Sequence, residues 1–156
     1  MPETMLAVRY NRRVGAVDRI FSLLRRREFP ISGMTLERTH EPEIDRMTIT
    51  VSDPSAVTQI SRHLNRLADV LDVEPRSSDA VTREYALVRI RCTPKQRTEV
   101  MPVLAAFGAQ ALNVTADRLV LEAAGTGRQL DSLVSALDPY GIEELARTSA
   151  LGVATA

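Results

Sequence analysis

Tryptophan is absent from this chain of 156 residues, and only three phenylalanines and three tyrosines are present. Proteins that bind single-stranded RNA on a β-sheet stack the bases on aromatic side chains, which are scarce here. Basic and acidic residues number 20 each, so the formal net charge is zero. Without an excess of positive charge, we expect neither a nucleic-acid partner nor a membrane-surface partner.

Cysteine and long apolar runs are also scarce. Cys92 is the only cysteine, so an internal disulfide is excluded, and its place in an apolar strand pattern predicts a small buried side chain. No run approaches the roughly 18 apolar residues of a membrane helix, and residues 1–10 lack the layout of a secretion signal. We therefore expect a soluble, cytoplasmic protein.

Motifs for catalysis and metal binding are missing as well. His40 lies in a polar turn and His63 at the edge of a helical stripe, and neither has a second ligand at metal-binding spacing. Two glycines, Gly125 and Gly127, precede a predicted helix; such a turn can hold a phosphate, but a solvent-exposed turn is the commoner meaning. We expect no catalytic residue, no metal and no cofactor.

The first half of the chain has the order strand, helix, strand, strand, helix, strand. Period-two alternation predicts the strands, and apolar residues three or four apart predict the helices. Pro30 requires the first helix to end near Arg27, and Pro54 opens the second behind a Ser52 or Asp53 cap. The predicted strands cover residues 4–10, 31–39, 46–52 and 69–74.

The second half repeats this order with little sequence identity. Strands are predicted over residues 83–92, 111–115, 118–123 and 142–148. Two helices separate them, of which the first should be kinked or divided by Pro102 and the second should stop at Pro139. We predict an α+β fold of two tandem ferredoxin-like βαββαβ domains, residues 1–76 and 81–156, joined by a polar linker over 75–80.

The turn before the first helix is the leading candidate site. Gly15 lies between the first strand and this helix, where a side chain would obstruct a ligand. The first N–H groups of a helix lack internal partners and suit a carboxylate, such as that of an amino acid. Val17, Ile20, Phe21 and Leu24 predict an apolar helix face, and the run from Arg25 to Arg27 is typical of a solvated helix end.

Four stretches resemble, in order and spacing, the regulatory small subunit of acetolactate synthase (acetohydroxyacid synthase). They are NRRVGAVDRIFSLLRRREFPISGMTLERT, DRMTITVSD, REYALVRIRC and GTGRQLDSLVSALDPYGIEELARTSALG, and together they span nearly the whole chain. The first half resembles the ACT domain of that family and the second half its C-terminal domain.

The resemblance implies a non-catalytic protein of branched-chain amino acid biosynthesis. It would bind and activate a catalytic large subunit, which holds thiamine diphosphate, magnesium and flavin, and would confer feedback by a branched-chain amino acid, usually valine. ACT domains of this family pair side by side into a homodimer, and the effector lies between one chain's first-helix turn and the other's second strand. The corresponding effector-binding residues here are Asn11, Gly15, Ala16, Val17, Pro30 and Ile31.

Three departures from the family pattern concern this site. Pro30 stands where the family usually has an asparagine, and it offers neither an amide side chain nor an N–H. Glu28 replaces a glycine and resists the left-handed conformation common at helix ends. Asn11 lies four residues before Gly15 instead of three. We expect weak or altered effector binding with activation retained.

Other functional classes remain as alternatives. A free-standing ACT protein that senses an amino acid and regulates another target is compatible with the altered turn, and co-purification with a large thiamine-dependent chain distinguishes it from the regulatory subunit. An RNA-binding protein would require salt-sensitive binding to single strands. An independent enzyme is the least favoured class.

Overall fold

The structure is a computed structural model that describes residues 3–76 and 79–155. The chain divides into two compact units, residues 1–81 together with 149–156, and residues 82–148. The predicted linker over 75–80 includes positions 77 and 78, which lie outside the described residues. The first half contains a four-stranded antiparallel sheet with two helices, and the second half contains a five-stranded sheet with two helices. The predicted order βαββαβ is therefore confirmed in both halves.

The first unit has a sheet with strand order β2-β3-β1-β4. The predicted hairpin between the second and third strands is present, with Leu36 opposite Met47. A short 3₁₀ turn, Pro54–Ala56, leads into the second helix behind Asp53, whose side chain accepts a hydrogen bond from Ser55 N. The elements are β1 (Thr4–Asn11), α1 (Ala16–Arg26), β2 (Ile31–Arg38), β3 (Ile44–Val51), α2 (Val57–Leu64) and β4 (Val70–Pro75).

Both helices of the first unit pack their apolar residues on one face of this sheet. In α1 the buried residues are Ala16, Ile20 and Leu24, spaced four apart, whereas Val17 and Phe21 of the predicted stripe are exposed. The buried face of α1 is thus rotated relative to the predicted face, and the apolar side chains of Val17 and Phe21 stay at the surface. The core comprises these residues with Leu6, Val8, Tyr10, Met47, Ile49, Val51, Ile60 and Leu64.

The second unit has strand order β6-β7-β5-β8. Its buried core includes Cys92, which is a free thiol with no exposed surface, as predicted. The elements are β5 (Val81–Arg91), α3 (Pro94–Ala106), β6 (Gln110–Val114), β7 (Arg118–Gly125), α4 (Gly127–Leu137) and β8 (Ile142–Arg147). A short ninth strand, β9 (Leu151–Val153), was not predicted.

Helix α3 runs undivided through Pro102, so of the two predicted outcomes, a kink or a division, the division does not occur. A proline inside a helix removes one backbone hydrogen bond, and the thirteen residues of α3 retain the bonds on either side of it. Its buried residues Val100 and Leu104 hold it on the sheet on both sides of the proline. Tertiary packing therefore outweighs the local preference at this position.

Both helices of the second unit begin with a capping box. Thr93 accepts a hydrogen bond from Gln96 N while the Gln96 side chain accepts one from Thr93 N, and Thr126 and Gln129 repeat the arrangement. These reciprocal bonds satisfy backbone donors that a helix start would otherwise offer to an anion. Gly125 ends β7 and is buried, whereas Thr126 and Gly127 are partly exposed, so the predicted solvent-exposed turn is only partly so.

Candidate functional site

The turn before α1 is built from the end of β1 and a left-handed glycine. Asn11 is the last residue of β1, and its N–H donates to Asp69 O at 2.9 Å. Gly15 is the N-cap residue of α1 with φ +80°, a conformation that favours glycine. Ala16 is buried and Val17 is partly exposed. Helix α1 begins without a side-chain cap from any described residue, and the N–H of its first residue, Ala16, donates to Arg13 O at 3.0 Å.

Arg19 lies directly over this glycine turn. A Cβ at Gly15 would stand 2.9 Å from Arg19 Nη1, so the guanidinium occupies the space that a side chain at position 15 would need. Arg19 Nε donates to Asp69 Oδ2 at 2.6 Å, and Nη2 donates to Val14 O at 3.4 Å. The helix mouth therefore carries a positively charged group that is held in place by a carboxylate.

The ion pair at the helix mouth shifts the pKa values of both of its residues. The hydrogen bond from Arg19 lowers the pKa of Asp69, and the hydrogen bond to Asp69 raises the pKa of Arg19. Asp69 is nearly buried, so this carboxylate stays ionised under the guanidinium. Sequence reasoning missed both residues as members of the site. The spacing of four between Gly15 and Arg19 was a usable signal, since such residues share a helix face.

Pro30 and Ile31 lie beyond the other end of α1. Pro30 O accepts a hydrogen bond from Ser52 N at 2.9 Å, and Ile31 pairs with Val51 at the start of β2. Because α1 has 11 residues, its two ends are roughly 16 Å apart. Within one chain, the structure thus separates the six predicted site residues into two groups at opposite ends of this helix.

Glu28 adopts the left-handed conformation that its residue type was expected to resist. Its φ is +50°, and it follows Arg27, the C-cap of α1. Phe29 N donates to Leu24 O at 3.3 Å and Glu28 N to Arg25 O at 3.1 Å, which together form a Schellman motif. The helix end is therefore formed without glycine, at a conformational cost on the order of 1 kcal/mol.

An apolar groove separates α1 from the edge strand β2. Its volume is about 220 Å³. Phe21 is half exposed at its rim, and Val14, in the turn before α1, is fully exposed. Edge strand β2 has unpaired backbone groups next to this groove. The groove is lined by Phe21, Leu24, Arg25, Glu28, Phe29, Ile31 and Met34.

Within residues 3–76 and 79–155, no group of histidine, cysteine or carboxylate side chains could hold a metal ion. In the same part of the chain, no helix is long and apolar enough to cross a membrane. His63 instead contacts the Phe29 ring, with 6.0 Å between ring centroids, and His40 is exposed in the loop after β2. The features that remain are the turn at Gly15, with the Arg19–Asp69 ion pair, and the apolar groove beside β2.

Two βαββαβ units in tandem, the first with a glycine turn before an uncapped helix, define a protein of the ACT-domain class. A family model described as ACT domain matches residues 12–73, and one described as small subunit of acetolactate synthase matches residues 83–156. The acetolactate synthase small subunit of Mycolicibacterium smegmatis is 34% identical over 154 residues, covering 97% of this chain and 91% of that protein. This chain belongs to the acetolactate synthase small-subunit family.

Further relatives agree with this assignment. The probable acetolactate synthase small subunit of Archaeoglobus fulgidus is 32% identical over 144 residues, covering 92% of this chain and 91% of that protein. The acetolactate synthase small subunit of Bacillus subtilis is 32% identical over 139 residues, covering 87% of this chain and 81% of that protein. The crystal structure of the small subunit from Thermotoga maritima has the same fold, with a TM-score of 0.89 at 23% identity and full coverage of both chains.

Proposed function

We propose that this chain is a non-catalytic regulatory subunit that binds and activates the large catalytic subunit of acetolactate synthase. The observation that carries the proposal is the match to a relative named as a small subunit over 97% of this chain, across both units. The thiamine diphosphate, magnesium and flavin of the reaction would belong to the large subunit, in keeping with the family resemblance.

The chain would act as a homodimer through its first unit. Strand β2 is an edge of the sheet, and edges with free N–H and C=O groups are ordinarily paired or covered. Leu36 on β2 and Phe21 on α1 are both more than half exposed, at 58% and 51%. Antiparallel pairing of two β2 strands about a two-fold axis would extend the sheet and cover these side chains.

Such a dimer would also assemble the effector site. The two ends of α1 are roughly 16 Å apart, a span that a single amino acid cannot bridge within one chain. A partner related by a two-fold axis would bring its Pro30 and Ile31 to the first chain's Gly15, Ala16 and Val17. The free N–H groups of α1 would then face the effector carboxylate, and Arg19 would add a positive charge nearby.

The composition of this site supports weak or altered feedback. Pro30 offers its carbonyl to Ser52 N and has no amide side chain to hold an effector. Losing one hydrogen bond to a charged group weakens binding roughly tenfold to a hundredfold. Glu28 is a smaller obstacle to effector binding than Pro30, because it adopts the left-handed conformation that the helix end requires. We propose that activation is retained while sensitivity to valine is reduced.

The experiment is to mix the purified chain with the large subunit of its own organism and to measure acetolactate formation from pyruvate. Valine, leucine and isoleucine are each added to parallel reactions. Stimulation by this chain supports the proposal, and stimulation without inhibition by any of the three supports the altered site. If the two chains neither co-elute nor interact functionally, the free-standing ACT sensor becomes the better hypothesis.

A further inference from the structure

The C-terminal ends of α1 and α2 together form a cluster of cations, which we name the α1–α2 basic cluster. Arg62 and His63 lie in the last turn of α2, and Arg66 follows that helix. His63 is next to the α1 end, since it contacts the Phe29 ring and lines a cavity with Arg26 and with Arg27, the C-cap of α1. The cluster consists of Arg25, Arg26, Arg27, Arg62, His63 and Arg66.

The charge of this cluster is not balanced by neighbouring side chains. Several arginines elsewhere are paired, as Arg12 is with Asp45 at 2.7 Å and Arg147 with Glu84 at 2.6 Å. By contrast, none of the five clustered arginines forms an ion pair with any carboxylate that the structure describes. Residues 22–29 and 60–67 contain a single acidic residue, Glu28.

Helix dipoles do not neutralise these charges. Each helix C-terminus carries roughly half a negative charge, so two ends contribute about one, and Glu28 and Asp18 contribute one each against five arginines. Glu28 also lines the apolar groove beside β2, whereas Arg27 lines a different cavity. Asp18 lines a further groove with Arg25 and Arg26. The clustered like charges repel one another unless an anion from outside binds between them.

A cavity of about 280 Å³ lies within the cluster. Arg26, Arg27 and His63 supply its polar lining, and Leu23 supplies an apolar surface. Arginine guanidinium groups bind phosphate oxygens with paired, planar hydrogen bonds. The cavity volume exceeds that of one phosphate group, and its lining combines several donors with one apolar side chain. An anion with more than one phosphate group fits both its charge and its size.

We propose that the α1–α2 basic cluster is a binding site for a small molecule bearing a polyphosphate group, with Arg26, Arg27 and His63 as its direct ligands. Arg62 and Arg66 raise the local positive potential without lining the cavity. None of the cavity-lining residues belongs to the effector site proposed above, although His63 contacts Phe29, which precedes Pro30 of that site. The inference does not depend on the large subunit.

The chain has two histidines, which permits a direct spectroscopic test with the full-length protein. Burial, followed by the charges of Arg27, Arg66 and Arg62, lowers the pKa of His63. A bound polyphosphate would place negative charge beside the imidazole and raise that pKa. The experiment follows both imidazole signals by NMR over pH 5 to 8 with inorganic pyrophosphate, with ATP and with sulfate at matched ionic strength.

The expected result is an upward shift of the His63 titration with pyrophosphate or ATP, while His40 keeps its titration curve as an internal control. Tighter binding of ATP would identify a nucleotide, and equal binding would identify the phosphate groups as the recognised part; both support the site. Equal shifts of the His40 and His63 titrations, or an equal shift of His63 with sulfate, would show only general electrostatic screening of the protein charges. Either result would overturn the proposal.

Variants locate the site independently. The double change Arg26→Gln and Arg27→Gln should weaken pyrophosphate binding at least tenfold, because two charged hydrogen-bond donors are removed. Arg128→Gln is the matched control, since Arg128 is exposed on α4 and lacks an ion pair with any described residue. An equal loss in the control contradicts the proposal. So does a cluster variant that loses stimulation of the large subunit while the parent chain binds no pyrophosphate, since the cluster would then be a protein contact.

Discussion

Glu28 and Gly108 occupy the same position in two copies of one helix-ending motif. Gly108 has φ +65° after α3, where Ala109 N donates to Leu104 O at 2.9 Å and Gly108 N to Ala105 O at 3.1 Å. Glu28 has φ +50° after α1 with the equivalent pair of bonds. The two units therefore end their first helix in the same way, with the preferred residue in one and a disfavoured residue in the other.

This comparison predicts that Glu28→Gly stabilises the protein, by about 0.5 to 1 kcal/mol. Relief of the left-handed strain exceeds the entropy that glycine adds to the unfolded chain. The reciprocal change Gly108→Glu should destabilise it by about 1 to 2 kcal/mol. Urea unfolding measures both, with Glu28→Gln as the control for charge. A gain of stability in Glu28→Gln equal to that in Glu28→Gly would assign the effect to charge instead of conformation.

Gly15→Ala is predicted to cost more stability than Gly108→Ala. Both positions have positive φ, so each alanine is strained by about 1 kcal/mol. At Gly108 no described atom lies within 4 Å of an added Cβ, whereas at Gly15 the methyl group would displace Arg19 from Asp69. Urea unfolding compares the two variants, and NMR of Asp69 should detect a rise in its pKa only in Gly15→Ala. Equal losses of stability in the two variants would show that the Arg19 side chain moves away from the added methyl group without a penalty.

Pro30→Asn is predicted to strengthen valine binding by roughly tenfold or more. The substitution supplies an amide side chain that proline lacks, and the backbone carbonyl that accepts from Ser52 N is retained. Calorimetry with valine measures the change, and inhibition of the mixed enzyme by valine provides a second readout. Pro30→Ala is the control, which frees the backbone without adding the amide. Equal affinity in the two variants would remove position 30 from the effector site.

The dimer hypothesis predicts different results at the two edges of the first sheet. Leu36→Lys on β2 should shift the protein toward monomer in sedimentation velocity, because a lysine on an edge strand disfavours strand pairing. Leu71→Lys is the matched control, since Leu71 is exposed at 45% on the opposite edge strand β4. Loss of the dimer in the Leu71 variant alone would place the interface on β4.

Glu143 is predicted to stabilise the second unit at neutral pH but not in strong acid. Hydrogen bonds from Arg118, then Arg91 and Arg89, lower the pKa of Glu143 from 4.5 to about 2. The unfolded chain binds the proton more readily, so this contribution is complete above about pH 4.5 and is lost as the pH falls toward 2.

The measurement is the difference in Tm between the parent protein and Glu143→Gln at several pH values. This difference should be large at pH 7 and should shrink progressively below pH 4.5. Glu144→Gln is the control, because Glu144 is more exposed and pairs with Arg89 at 2.8 Å. A difference that is independent of pH would mean that the glutamine variant loses packing and not charge.

Local signals in the chain were sufficient for the element order. Period-two alternation placed the strands, and proline, glycine and threonine placed the helix ends, because these preferences act over a few residues. It was harder to predict which face of α1 is buried against the sheet. Val17, Ile20, Phe21 and Leu24 are all apolar, and only packing on the sheet shows that Ile20 and Leu24 are buried while the other two face outward.

The sequence by itself determined the two βαββαβ units, the buried Cys92 and the glycine turn at the start of α1, since each depends on local periodicity or residue type. The tertiary structure alone brought Asp69 under Arg19, fifty positions apart, and His63 beside the arginines of α1. It also imposed a left-handed conformation on Glu28. These features depend on how helices and strands pack together, and contacts between distant residues leave no periodic signal in the sequence.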